Sequence, residues 1–372
     1  MGAYTKNNRN LGIDILRALA MFFVIIQHII GQGGLLENAP MGSGKFYCLS
    51  FLQILSYCAV DIYGITTGYL LSEKKFRLVR LSNVWMTTVF WSVAVSCCFF
   101  LFVPESRTIS EMVSMFLPVL RGRYWFFTAY FVVMLVSPAL NVVIRSLNKQ
   151  QFHLLFAALF LIFGVVPICS LGYDVLRIST GHHFAWMIVL YLVGGYLRKN
   201  DREGGTTMFR SPGRWLTGYF TLAAAHLLYK FLTPYVGLEG YQNLLLTYPS
   251  PMILGEAVCL FLYFKDTCKK ISGESFAGRL IRFVSPGVYS VYVIHVHPLI
   301  YWNDEMIALF RIWDGWSTAT AVAALLGVSV AVFAACVLLD ALRQRLFRLL
   351  RIDRAVQNVS DWIERRVREY VR

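Results

Sequence analysis

Two residues of an apolar segment near the N-terminus, Arg17 and His28, have types and a spacing that suit joint chemistry. Their eleven-residue separation places them on one face of a helix, roughly 16 Å apart at about 100° and 1.5 Å per residue. Such a face suits an elongated ligand whose anionic groups bind the arginine while its reactive end reaches the imidazole. A structural alternative stays open, in which Arg17 extends to a membrane surface or pairs with Asp14, and His28 only hydrogen-bonds between helices.

The composition indicates what kind of protein must position these residues. Of 372 residues, 57% are apolar and only 15% are charged, whereas soluble domains carry about 25% charged residues. Because so few polar groups could not cover a soluble surface, the sequence predicts an integral membrane protein. The net charge of +14 is interrupted repeatedly by apolar segments, a distribution typical of cytoplasmic loops and not of nucleic-acid binding.

Continuous apolar runs predict an all-α fold, a bundle of about ten transmembrane helices. The strands of a membrane barrel would instead alternate apolar and polar residues. The predicted spans cover residues 11–31, 50–71, 82–103, 124–144, 152–171, 184–197, 215–232, 248–264, 284–303 and 317–339.

The positive charges indicate how these spans are oriented. With the N-terminus inside, the lysines and arginines divide 27 to 7 between the inner and outer segments, which predicts that both termini are cytoplasmic. Asp14 and Arg17 interrupt the first apolar run, and no small-x-small cleavage site follows it. We therefore interpret that run as a retained helix and not as a signal peptide.

The predicted organisation is a membrane domain over residues 1–340 and a basic tail over residues 341–372. Apolar residues recur at helical spacing between the arginines of the tail, which predicts a basic amphipathic helix on the inner membrane surface. The eight cysteines form no C-x-x-C pair, so we predict neither a metal site nor a disulfide.

Five segments in order resemble acyltransferase family 3, the integral-membrane O-acyltransferases of bacterial surface glycans. The first, NLGIDILRALAMFFVIIQHI, carries the Arg17-x10-His28 pattern of the first-helix signature. The others resemble the second-helix block, the cytoplasmic R-x-x-R, the aromatic block and the late S-x-Y-x-H-P block of the family. They are VDIYGITTGYLL from Val60, RLVR from Arg77, YWFFTAY from Tyr124 and SPGVYSVYVIHVHPLI from Ser285.

The resemblance implies a donor, an acceptor and a location. The donor would be acyl-CoA, commonly acetyl-CoA, with His28 catalytic and Arg17, Arg77 and Arg80 handling the donor. The acceptor would be a hydroxyl of a surface polysaccharide or a lipid-linked glycan, and the protein would lie in the bacterial inner membrane. Arginines at i and i+3 share one helix face and suit phosphates, although basic charge is expected in any cytoplasmic loop.

The chemistry of acyl transfer suggests roles for the remaining candidates. An alcohol needs a base to remove its proton, for which His28 is suited, and a carboxylate would orient that base; Asp61 is the candidate. Transfer through an acyl-histidine is the alternative to direct transfer. Trp125, Tyr130 and His295 are candidate substrate-binding residues, although packing explains such residues as well.

The chain also departs from the family pattern. His297 stands where many members have an apolar residue or proline, and Thr66 and Thr67 replace a serine of the second-helix block. Those departures leave the roles of these positions open.

Other functional classes remain possible on the sequence alone. A transporter or lipid-linked glycan flippase also needs many spans, but the two matching halves common in transporters are not visible. A membrane sensor that binds ligand without turnover is a third possibility. The expected partners are the glycan acceptor and membrane lipids, with no nucleic acid, and association with a second copy of the chain stays open.

Overall fold

Polar residues ahead of the apolar runs determine where several helices begin. The side chain of Asn10 accepts a hydrogen bond from the backbone N–H of Gly12 at 2.9 Å. Ser43 and Ser317 accept in the same way from Phe46 N at 3.1 Å and Thr320 N at 3.2 Å. These oxygens satisfy backbone donors that have no partner within the helix.

The structure, a computed structural model, describes residues 10–204, 211–268, 271–305, 307, 313 and 315–370, and within these ranges it contains helices and no strand. The all-α prediction is therefore confirmed for the described chain. Among the charges used to predict the topology, Lys6, Arg9, Arg210, Lys269, Lys270, Arg311 and Arg372 lie outside the described residues.

The helices follow one another closely along the chain, and a π-helical turn over Phe160–Val165 joins α7 to α8. They are α1 (Leu11–Gln32), α2 (Gly44–Tyr57), α3 (Ala59–Leu71), α4 (Leu78–Phe102), α5 (Ile109–Ser114), α6 (Trp125–Ser146), α7 (Lys149–Leu159), α8 (Val166–Cys169), α9 (Phe184–Arg202), α10 (Pro212–Leu232), α11 (Pro251–Thr267), α12 (Phe276–Val284), α13 (Val288–His295), α14 (Pro298–Tyr301), α15 (Thr318–Leu349) and α16 (Ile352–Tyr370).

Six helical segments of the described chain are long and apolar enough to cross a membrane. They are Leu11–Gln32, Gly44–Leu71, Leu78–Phe102, Trp125–Ser146, Lys149–Cys169 and Thr318–Leu349. The other four predicted spans coincide with α9, α10, α11 and the α13–α14 pair, which are shorter, less apolar or more highly charged. The multi-pass character is thus supported, and the count of ten stays a prediction.

The ninth predicted span is not a continuous helix. α13 ends at His295, and α14 begins only at Pro298. Proline disfavours helical backbone in the residue before it, and His297 adopts φ −56° and ψ 130°. His295 therefore lies at a helix end, whereas the sequence analysis interpreted it as the middle of a span.

α1 lies among the other helices and contacts α2, α3, α11, α13 and α15. Leu16, Ala20 and Ile25 on this helix are at most 1% exposed. Its polar side chains are consequently positioned by protein on several sides.

The predicted tail begins within α15, which continues to Leu349, and after Arg351 it forms the tail helix α16, which packs against α4. Its apolar side chains Val359, Trp362 and Val367 remain more than half exposed. An exposed apolar stripe beside arginines is the pattern of a helix that lies on a membrane, and this location stays a prediction.

The pair α3–α9 packs with direct backbone contact. A Cβ at Gly68 would lie 2.0 Å from the carbonyl oxygen of Tyr191, and one at Gly194 would lie 2.0 Å from that of Ile65. Only glycine lets the two backbones approach this closely, as is common between membrane helices.

We expect Gly68→Ala to lower the free energy of unfolding by about 1–3 kcal/mol, because the methyl group would overpack a backbone contact. Thermal unfolding in detergent, followed by tryptophan fluorescence, measures the change. Gly31→Ala is the matched control on α1, since nothing lies within 4 Å of the added Cβ. Equal melting temperatures for both variants would contradict the close packing of α3 and α9.

Candidate active site

His28 and His295 face each other between α1 and α13. His28 Nδ1 lies 3.0 Å from His295 Nε2, and the ring centroids are 5.1 Å apart. His295 Nδ1 lies 2.5 Å from the carbonyl oxygen of Val291. The ring of Tyr301 on α14 packs edge-to-face against the His28 ring, with the two ring centroids 4.9 Å apart. The two histidines that the sequence placed 267 residues apart are therefore direct hydrogen-bond partners.

Gln27, the residue before His28, holds this end of α1 against α2. Its amide Nε2 donates to Ser56 Oγ at 2.7 Å and to the carbonyl oxygen of Gln53. Gln27 is not among the residues predicted from the sequence, because a lone glutamine in an apolar run carries no motif signal.

A cavity of about 450 Å³ surrounds His28. Trp125, His182 and Tyr248 form an aromatic cluster on its wall, with ring centroids 4.6 to 6.0 Å apart. Aromatic faces of this kind suit the apolar face of a ring-shaped ligand. Trp125, one of the predicted substrate-binding residues, thus lies in the same cavity as His28.

A second cavity of about 210 Å³ surrounds Arg17. Within the described contacts the guanidinium makes one ion pair, at 4.0 Å with Asp14, and the side chain is 32% exposed. The pairing with Asp14 that the sequence left open is therefore present but long. Tyr63 fixes the backbone of this turn, because its hydroxyl donates to Arg17 O at 2.6 Å.

The two cavities share part of their walls. Arg17 lines only the first of these cavities and His28 only the second. The side chains that line both cavities are Met21, Tyr63, Phe126 and Tyr292.

Tyr130, predicted to bind substrate beside Trp125, instead lines the Arg17 cavity. Its hydroxyl lies within electrostatic reach of both Arg17 and Arg80. The aromatic block of the sequence is therefore divided, with Trp125 near His28 and Tyr130 near Arg17.

Asp61 is not found in the position predicted for it. This fully buried carboxylate accepts a hydrogen bond from Trp186 Nε1 at 2.9 Å, and no described contact joins it to His28. The described contacts join His28 to His295, so the orienting role of Asp61 stays a prediction that they do not support. Asp61 and His28 are on different helices, and the sequence cannot show which faces of those helices meet.

Arg77 and Arg80 point to different partners. Arg77 Nη2 lies 3.3 Å from Asp361 Oδ1 of the tail helix, whereas Arg80 Nη1 donates to Lys75 O at 3.0 Å. The two arginines therefore have different described partners, and their shared role in binding the donor stays a prediction.

A buried charged cluster that the sequence analysis missed lies beside the His28 cavity. Arg123, whose side chain is 2% exposed, forms an ion pair with Glu111, and its Nη2 lies 2.7 Å from His297 Nε2. Burial would raise the pKa of Glu111, but hydrogen bonds from Arg123 and Ser96 hold it below its usual range. Arg123 lines the cavity, and its charge is balanced within the protein.

Two signals for this cluster were present in the sequence. Arg123 directly precedes the aromatic block, and His297 departs from the family pattern. Neither signal identifies Glu111, which lies on the short helix α5 and pairs with Arg123 only in the folded chain.

Comparison with protein families matches residues 10–340 to acyltransferase family 3, described as an acyltransferase domain. The chain belongs to this family. No curated protein and no solved structure matches it. The membership supports a membrane acyltransferase and gives no support to a transporter, and it is consistent with cavities arranged around an arginine and a histidine on one helix.

We expect Glu111→Gln to destabilise this acyltransferase by about 3 kcal/mol, because it leaves the buried Arg123 charge without its carboxylate. Urea or thermal unfolding of the purified protein in detergent measures the loss. The control is Glu105→Gln in the same segment between α4 and α6, where the residue is exposed. If both variants unfold alike, the buried ion pair does not stabilise this side of the cavity.

Proposed function

We propose that the protein is a transmembrane O-acyltransferase that moves a short acyl group, commonly acetyl, from cytoplasmic acyl-CoA to a hydroxyl of a surface polysaccharide or lipid-linked glycan. The observation that carries the proposal is the arrangement of α1, which presents Arg17 to one cavity and His28 to an adjoining one. An elongated donor held at one end and reactive at the other requires this arrangement.

The hydrogen bonds of His295 support His28 as the base. A carbonyl oxygen only accepts, so His295 Nδ1 carries the proton that is donated to Val291 O. The Nε2 of a neutral His295 is then an acceptor, and His28 Nδ1 must donate to it. This leaves the lone pair of His28 on Nε2, the atom available for a substrate proton.

Acyl transfer then requires His28, the acceptor hydroxyl and the donor thioester. His28 Nε2 removes the proton of the acceptor hydroxyl as its oxygen forms a bond with the thioester carbonyl carbon. The carbon–sulfur bond breaks, and the imidazolium returns the proton to the leaving sulfur, which departs as the CoA thiol. Transfer through an acyl-histidine uses the same Nε2 lone pair, so both routes fit the arrangement.

The Arg17 cavity is the proposed donor site. Arg17 has one long ion pair within the described contacts, and its guanidinium can therefore bind a phosphate group of the donor. Arg80 and the Tyr130 hydroxyl add a second cation and a neutral donor on the same side.

The His28 cavity is the proposed acceptor site. Trp125, His182 and Tyr248 offer ring faces to a sugar, and burial lowers the pKa of His182, so that ring is neutral at pH 7. Arg123 is neutralised by Glu111. The site therefore suits an uncharged sugar ring better than an acidic one.

We expect His28→Ala to lower acyl transfer by about 10²–10⁴-fold, the usual contribution of a general base. Mass spectrometry of surface glycans from cells with the wild type, His28→Ala or an empty vector tests this, with membrane insertion of the variant verified. An added acyl mass from the wild type alone identifies both the acyl group and the acceptor. Unchanged acylation by His28→Ala would exclude the mechanism even if the family activity stands.

We expect His295→Ala to lower kcat while leaving the KM for the donor unchanged, because His295 orients His28 and does not touch the donor. Steady-state kinetics with acyl-CoA over a range of pH would show this as a lower and displaced pH profile. Asp61→Asn is the comparison, since an amide oxygen still accepts from Trp186 Nε1. Loss of activity in Asp61→Asn together with normal activity in His295→Ala would restore Asp61 as the orienting residue.

A further inference from the structure

The tail helix α16 contacts the start of α4 through its acidic residues. Arg77 Nη2 lies 3.3 Å from Asp361 Oδ1, and Arg77 Nε lies 4.0 Å from Glu364 Oε1. Beside these ion pairs, Ser360 Oγ donates to Ser82 Oγ at 3.0 Å. The carboxylates of a predominantly basic tail thus face one of the arginines that the family resemblance assigns to the donor.

Glu364 also occupies the N-terminus of α4. Its Oε1 accepts the backbone N–H of Leu78 at 2.6 Å, whereas the N-cap residue Arg77 supplies no side-chain cap of its own. Free N–H groups and the positive end of the helix dipole make such a terminus an anion site. An arginine fork beside it completes the chemistry that binds phosphate esters.

We propose that Arg77 and the N-terminus of α4 form a phosphate-binding site that the tail helix occupies in the absence of donor, so that tail and donor bind in competition. Asp361 and Glu364 serve there as intramolecular substitutes for phosphate oxygens. This inference rests on the proposed function, because the competing phosphate belongs to acyl-CoA.

A donor phosphate can replace the tail carboxylates at Arg77, because these ion pairs are partly exposed. Arg77 is 44% exposed and Asp361 is 39% exposed, and ion pairs in contact with water are weak. Glu364 is 13% exposed and is the better shielded of the two carboxylates. A donor phosphate that carries more charge than one carboxylate competes well for the same arginine.

A turn precedes the tail helix, and α16 carries an exposed surface that could bind elsewhere. α15 and α16 are separated by Arg351, whose φ of +55° belongs to the left-handed region that non-glycine residues rarely adopt. On α16 the exposed Val359, Trp362 and Val367, together with arginines such as Arg366, form a surface suited to a membrane. A released tail can therefore bind to the bilayer.

A disulfide that holds the tail in place tests the competition. The double variant Ser82→Cys with Ser360→Cys joins α4 to α16, and single Ser360→Cys under the same oxidant is the control for the eight native cysteines. We expect the oxidised double variant to show a raised KM for acyl-CoA that reductant returns to the wild-type value. An unchanged KM in the cross-linked protein would overturn the proposal.

Removal of one tail carboxylate tests the same site by weakening the contact between the tail and Arg77 instead of fixing it. We expect Asp361→Asn to lower the KM for acyl-CoA by about two- to fivefold, the change that a weak ion pair allows. Glu369→Gln is the matched control, since Glu369 pairs only with Arg366 among the described residues. An equal or higher KM in Asp361→Asn would count against the competition.

The rate of cross-linking distinguishes two sources of phosphate and needs no acyl acceptor. We expect coenzyme A to slow disulfide formation in the double variant held in neutral nanodiscs. If only phosphatidylglycerol nanodiscs slow it, the occupant is a lipid headgroup and donor competition is wrong; if neither does, the tail is a fixed part of the fold. Absence of glycan acylation by the wild type would instead refute the proposed function while leaving this response to coenzyme A intact.

Discussion

The structure depends on one constraint: polar groups on a helix inside an apolar bundle must find their partners on neighbouring helices. α1 satisfies it toward both of its ends, where its polar groups contact several other elements. The pairs are Asn10 with Lys265 O, Asp14 with Ser285, Arg17 O with Tyr63, Gln27 with Ser56 and His28 with His295. These contacts fix the rotation of α1, and with it the directions in which Arg17 and His28 point.

The same constraint separates charges that serve the fold from charges available to a ligand. Arg123 is neutralised by Glu111, and Lys265 donates to both carboxylate oxygens of Asp201 at 2.7 and 2.8 Å. Arg17, with its single long ion pair among the described contacts, keeps most of its donors for another molecule. The proposed enzyme would need both kinds of charge, because it binds an anionic donor while unsatisfied cations elsewhere would disrupt the bundle.

Much of the site could be predicted because its signals are local. The Arg17–His28 face follows from the helical period, and the division of the chain into apolar runs follows from composition. The roles of Asp61 and His295 could not be predicted. Both are ionisable residues of apolar segments, and choosing between them required knowing which sides of α3 and α13 face α1. Pro298 is a local signal for the break after His295. Because it lies within a continuous apolar run, residues 284–303 were predicted to be one unbroken helix.

The sequence by itself determined that the chain is helical, belongs in a membrane and presents an arginine and a histidine on one face. Each of these properties depends on residues within a few helical turns of one another. Only the tertiary structure decided that His295 contacts His28, that Glu111 neutralises Arg123 and that Asp361 reaches Arg77. These partners are separated by 267, 12 and 284 residues. Such pairs arise from the packing of whole helices, and helical periodicity carries no information about which faces meet.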